Sequence, residues 1–241
     1  MNKIYLALLF FVLSFCNAQS YFVTYKLRQI SRAGINFETN IKTYLRGNGE
    51  TSIYIEDYKK SVDNVGRNKN TLVMPTEDNP QYFKEFNKYK ITYIDNIKFT
   101  LFNVTDTISK FDWKITSETK KILQYNCQKA TLRFRGRDFD VFFTKDLPFS
   151  DGPLKFFGLP GLILEVLTDN STDFFHYVAE SVVLSNEKTK SVNYFENKEV
   201  ISYAEFVKIY RKKYGESLTK IVTDNGETRP LSKGHREIMI E

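Results

Sequence analysis

Short runs in which apolar and polar residues alternate organise this chain, and each run predicts a strand with one face turned inward. Tyr21, Val23, Tyr25 and Leu27 alternate with Phe22, Thr24 and Lys26. Ile41–Leu45 and Ser52–Ile55 flank Gly47-Asn48-Gly49, whose glycines and Asn accept the positive φ of a tight hairpin. Residues 57–71 are polar and read as a loop. Asn79-Pro80 opens a candidate helix with Tyr82, Phe83, Phe86 and Tyr89 on one face. Strands are then predicted at 90–94, 99–104, 113–116, 122–134 and 139–144. Ala130, Leu132 and Phe134 share a face before Gly136 turns the chain. Residues 162–167 and 174–178, joined through Asp169-Asn170-Ser171, form a further hairpin.

One helix is predicted at 202–214. Ser202 and Glu205 have capping-box spacing, Phe206, Val207, Tyr210 and Tyr214 make an apolar stripe, and Gly215 is placed as its end. The elements sum to one mostly antiparallel β domain over residues 19–241, an open curved sheet or half-barrel with the helix packed on it.

The first eighteen residues stand apart. Lys3, an apolar run from Ile4 to Leu13 and a small residue at Ala18 read as a secretory signal peptide cut after Ala18. Lipidation at Cys16 is the rival processing route, although bulky Phe15 departs from a lipobox. The run is too short to span a bilayer, and no later stretch of the mature chain is continuously apolar enough to do so. The protein is therefore expected in the periplasm, at the outer-membrane periphery, or released. The formal charge of +6 is spread along the chain, with no basic arm or nucleic-acid module. After cleavage Cys127 is the sole cysteine, read as a buried apolar thiol.

His176 and His235 are the only histidines, and neither zinc spacings, a nucleophile elbow, a P-loop nor a dinucleotide fingerprint occurs. No cofactor and no metal are therefore expected. The most informative segment is 147–164, which holds three of the six prolines and also Gly152, Gly158 and Gly161. Its apolar residues mark it as packed. Pro160-Gly161 fits the central positions of a type II turn. The segment reads either as a rigid corner or as the apolar edge of a ligand cleft, with Phe156, Phe157, Leu159 and Pro160 as candidate binding residues. Arg135 and Arg137 join them as a candidate anion site; the competing reading pairs Arg133, Arg135 and Arg137 with Asp138 and Asp140 across the hairpin.

Gly158-Leu159-Pro160-Gly161-Leu162-Ile163 is the hexapeptide of the GLPGLI family of exported proteins of gram-negative bacteria, and the chain resembles that family from Trp113 to Leu167. Tyr125-Asn126-Cys127-Gln128-Lys129-Ala130 and Phe134-Arg135-Gly136-Arg137 carry the resemblance further; Gln124 departs from it where Gly is usual. It implies export but no reaction and no catalytic residue. The function expected is a non-catalytic binding or accessory protein with an apolar ligand or an envelope protein as partner. The alternative is a hydrolase acting through carboxylates such as Glu165, which would need a second carboxyl nearby.

Overall fold

The alternation at Tyr21–Leu27 becomes the middle of a twelve-stranded sheet. The computed structural model describes residues 19–31, 37–58, 81–97, 100–170, 173–189, 191–219, 231, 234–235 and 238–239. In chain order the strands of this sheet are β1 (Ser20–Ser31), β2 (Phe37–Gly47), β3 (Thr51–Asp57), β4 (Gln81–Glu85), β5 (Lys90–Ile97), β6 (Thr100–Thr107), β7 (Lys114–Ile122), β8 (Tyr125–Phe134), β9 (Arg137–Thr144), β10 (Leu162–Asp169), β11 (Asp173–Ser185) and β12 (Ile201–Ser202); the helix α1 spans Tyr203–Thr219. Their order across the sheet is β12-β6-β5-β4-β3-β2-β1-β11-β10-β9-β8-β7. Two meanders thus meet at one antiparallel seam, where β1 pairs with β11 from Ser20↔Ser185 to Ser31↔Asp173.

Curvature follows from chain length. β6 and β7 stand ten strand spacings apart, which in a flat sheet is roughly 50 Å. The link from Thr107 to Lys114 spans at most about 25 Å when fully extended. The sheet must therefore curl until its margins approach. The concave face buries Tyr25, Leu27, Ile41, Leu45, Tyr54, Tyr82, Tyr93, Ala130, Val141, Val166 and Tyr177. Two connections fill the hollow: the β6–β7 link, with Phe111 and Trp113, and the 145–161 segment, with Leu147, Phe149, Phe156, Phe157 and Leu159.

Three local expectations are corrected. Residues 81–85 are strand β4, followed by a turn of 3-10 helix at Phe86–Lys88, rather than a helix; Asn79 and Pro80 lie outside the described residues. Tyr82 points into the main core, whereas Phe83 points the other way, onto Ile53, Ile94 and Phe195. Because Phe195 covers the convex side there, both faces of β4 are apolar, and such a strand loses the alternation that would distinguish it from a helix stripe. In α1, the Glu205 N–H donates to Ser202 Oγ at 3.1 Å, and Phe206 and Tyr210 are buried as predicted, but the helix runs through Gly215 to Thr219. Downstream, Ser217 is anchored by donating to the Tyr214 carbonyl and accepting from the Leu231 N–H. The third correction is at Gly161, whose φ of +156° is not that of a type II turn. Its N–H donates to the Leu159 carbonyl at 2.8 Å, closing a three-residue turn centred on Pro160. The predicted loop at 57–71 lies outside the described residues from 59 on.

Candidate functional site

The 145–161 segment is fastened to the concave face by ion pairs on both sides. Asp151, 1% exposed, meets β1 and β4. Lys84 Nζ donates to its Oδ1 and also to the Gly152 carbonyl at 2.6 Å, while the Tyr21 hydroxyl donates to its Oδ2 at 2.5 Å. Burial pushes the Lys84 ammonium below its usual range, and the Asp151 charge works against that push. The Tyr21 phenol is held well above its usual range by burial and then by the Asp151 charge. Behind this network the Tyr25 hydroxyl donates to the Ile163 carbonyl at 2.7 Å.

On the other side Lys155, 1% exposed, reaches toward β5, β6 and α1. Its Nζ lies 3.1 Å from Asp106 Oδ2 and 3.7 Å from the centre of the Tyr93 ring. Arg135 shares Asp106 at 2.9 Å and stacks on Tyr203 at 3.4 Å. Two cations and one carboxylate, roofed by tyrosines, thus tie segment, sheet and helix together. Neither Lys84–Asp151 nor Lys155–Asp106 was read from the sequence. A signal for the first exists: Lys84 has the parity of Tyr82 within an aromatic strand, so a β4 reading turns it inward.

Between the segment and the β4–β5 turn opens a cavity of about 280 Å³. Its walls are Phe86, Phe111 and Phe157, with Tyr21 and Asp151 at its floor and Tyr89, Ser109, Lys110 and Ser150 around it. Phe157 meets Phe111 edge to face at 5.2 Å and Phe86 at 5.9 Å, and the Trp113 indole N–H donates to the Phe157 carbonyl at 2.9 Å. Such packing holds the walls rigid. A second void, about 20 Å³, lies deeper among Phe134, Phe139, Phe156 and Tyr177 and has room for about one water.

The six candidate residues scatter. Phe157 lines the larger cavity, Phe156 sits in the aromatic cluster with Phe111, Trp113 and Phe139, Leu159 is core, and Pro160 is exposed. Arg135 is committed to Asp106, and Arg137 is buried with Nη2 3.3 Å from Asp173. Of the arginine cluster, Arg133 makes the expected pair across the hairpin, with Asp138 at 2.8 Å on the surface.

Glu165 lies on the convex face, where it pairs with Lys120 and with His176 Nε2 at 2.7 Å. Burial opposes its charge, but hydrogen bonds from His176 and Lys120 outweigh that and hold the carboxyl below its ordinary range. A general acid needs the opposite shift. Cys127 is 1% exposed, and burial pushes its thiol up to about 11. Its labelling by a thiol reagent at pH 8 is therefore expected to be slow in the native protein and fast in denaturant; equal rates would refute the buried assignment.

Residues 36–213 match the family described as the N-glycanase peptide, N-terminal domain. No curated protein matches the chain. Among solved structures, PNGF-II in a C2 crystal form is 21% identical with a TM-score of 0.50, over 81% of this chain and 32% of that one. A P21 form of PNGF-II gives the same identity and TM-score over 81% and 34%. This chain thus spans about a third of the PNGF-II chain, and the likeness shows a shared fold. A LolA superfamily protein from Nitrosomonas europaea aligns at 7% identity and a TM-score of 0.29, over 70% of this chain and 87% of that one.

Proposed function

Because the chain belongs to the N-glycanase peptide N-terminal domain family, we propose that it works as a non-catalytic binding or accessory domain of an exported protein. The observation that carries this reading is the 280 Å³ cavity, with aromatic walls fixed by edge-to-face packing above a floor whose charges are already balanced. A site of this kind offers apolar faces for stacking and a few hydroxyls for orientation, which is the make-up of a ligand pocket. The family name points to a glycosylated peptide as the first ligand to try. The carbon–hydrogen face of a sugar ring would lie on Phe86 and Phe157, with its hydroxyls toward Ser109 and Ser150.

Asp151, the one carboxylate among the described lining residues, is engaged by Lys84 and Tyr21, which favours binding over hydrolysis. Export through residues 1–18 and membership of the GLPGLI group, carried by the hexapeptide at 158–163, belong to the same reading. The test is calorimetric titration with an N-linked glycopeptide, together with native mass spectrometry of the protein purified from its own envelope. Tyr89 stands at the cavity mouth, 51% exposed with φ of 51°, so Tyr89→Gly removes a ring from its rim without straining the backbone. It should weaken binding about tenfold at unchanged melting temperature. No bound ligand, no glycopeptide affinity at millimolar concentration, or release of a cleaved product would each defeat this proposal.

A further inference from the structure

The convex face of the sheet has its own chemistry. β2 and β1 are the sixth and seventh of the twelve strands, so their outward side chains form the crest of the curve, the part a flat surface touches first. In the register of β11, β1 and β2, Val183, Phe22 and Arg46 stand in one row, and Lys26 faces Lys42 in another. Phe22 and Val183 are 39% and 58% exposed, and Phe22 stacks on Tyr44 with ring centres 6.0 Å apart.

Two lysines directly opposite each other repel, and a sheet gains nothing from that arrangement by itself. Lys26, Lys42 and Arg46 are exposed and form no ion pair among the described residues, whereas Arg28 beside them is neutralised by Glu38 at 2.7 Å. Among the described residues the acids bordering the patch are Glu180, exposed at the β11 bulge, and Asp57, buried beyond Lys42. Three cations with no ion pair among the described residues, around an exposed Phe22 ring that stacks on a half-buried Tyr44, on the convex side of the sheet, suit a broad anionic surface into which a ring can sink. From this we infer that the β11–β1–β2 crest is a docking face for an anionic lipid surface, with Phe22 and Val183 at the level of the headgroups. No described helix is long and apolar enough to cross a membrane.

The experiment is co-sedimentation of the mature protein with vesicles of phosphatidylglycerol and phosphatidylcholine, against vesicles of phosphatidylcholine alone. Binding is expected to the anionic vesicles only, and to fall steeply at 0.5 M salt. Each basic residue near an anionic surface contributes about fivefold, so the triple reversal K26E/K42E/R46E should lower the partition coefficient at least about a hundredfold. The control K208E/R211E/K212E, three exposed positions on α1, changes the net charge equally and should lose far less. F22S should weaken binding without altering its salt dependence. Circular dichroism melts check that each variant folds. Equal losses in crest and helix variants, no preference for anionic vesicles, or tighter binding to polyglutamate than to vesicles would each overturn the inference, the last in favour of an acidic protein partner.

Discussion

Gly161→Val should lower the melting temperature by about 6 °C or more. A β-carbon at Gly161 would lie inside the van der Waals shell of the Thr144 carbonyl oxygen, 2.6 Å from the carbonyl carbon and 3.1 Å from the Lys145 nitrogen. All three are backbone atoms, so no rotamer change relieves the clash. Thr144 is also the register partner of Leu162, whose N–H donates to the Leu147 carbonyl at 3.0 Å. Separating the two strands would therefore open the start of β10 and loosen the 145–161 segment. A cost above about 3 kcal/mol follows from backbone displacement of this kind, and in a domain of this size each kcal/mol is worth about 2–4 °C. Gly49→Ala is the comparison: φ is +79° there, but the space is open, so only the left-handed conformation is penalised, by about 1 kcal/mol. If Gly161→Val melts within a degree or two of the parent, the crowding described at this corner is not real.

Lys84→Met should cost about 3–5 kcal/mol, because it strands the Asp151 carboxylate in a site 1% exposed. The double variant Lys84→Met/Asp151→Leu should recover much of that loss, since removing both charges also removes their desolvation. Asp151→Asn probes the other partner and carries a pH signature. Burial already holds the Lys84 ammonium below its ordinary range. Without the Asp151 charge it falls further. The folded variant then binds fewer protons than the unfolded chain across the window from its folded pKa up to about 10.5, so its stability rises with pH there. The gap between parent and Asp151→Asn, read from denaturant titrations at pH 7 and pH 9.5, is expected to narrow. A gap that stays constant would mean that Lys84 is not buried as an ammonium in the parent.

How much of this was legible beforehand depended on the range over which each feature is encoded. The alternations at Tyr21–Leu27 and Ala130–Phe134, the turns at Gly47-Asn48-Gly49 and Gly136, and the Ser202 cap are local, and the strands, hairpins and helix they predict are all present. β4 has a helix-like apolar pattern because Phe195, more than a hundred residues away in the chain, covers its second face. The end of α1 was misplaced because Ser217 and Leu231 hold the helix beyond a glycine that nothing crowds. The packed nature of 147–164 was visible in its apolar residues, but its inward charges were not: Lys84 and Asp151 are 67 residues apart, and a lone Lys or Asp in sequence reads as surface. Local sequence pairs Arg135 and Arg137 with the hairpin's own acids, whereas their partners, Asp106 and Asp173, come from β6 and β11.

The seam between β1 and β11 bears on how the chain reaches this state. A polypeptide made from its amino terminus completes the β1–β6 meander through short-range pairings while the other side of β1 has no partner. That partner arrives about 150 residues later, so the entropy of closing a very long loop is met before the seam begins to stabilise anything. Until then the half-finished sheet displays a bare edge and a hollow of tyrosines with no segment lying in it. Slow closure, and vulnerability to edge-to-edge association in the interval, are inherent in placing the first strand at the centre.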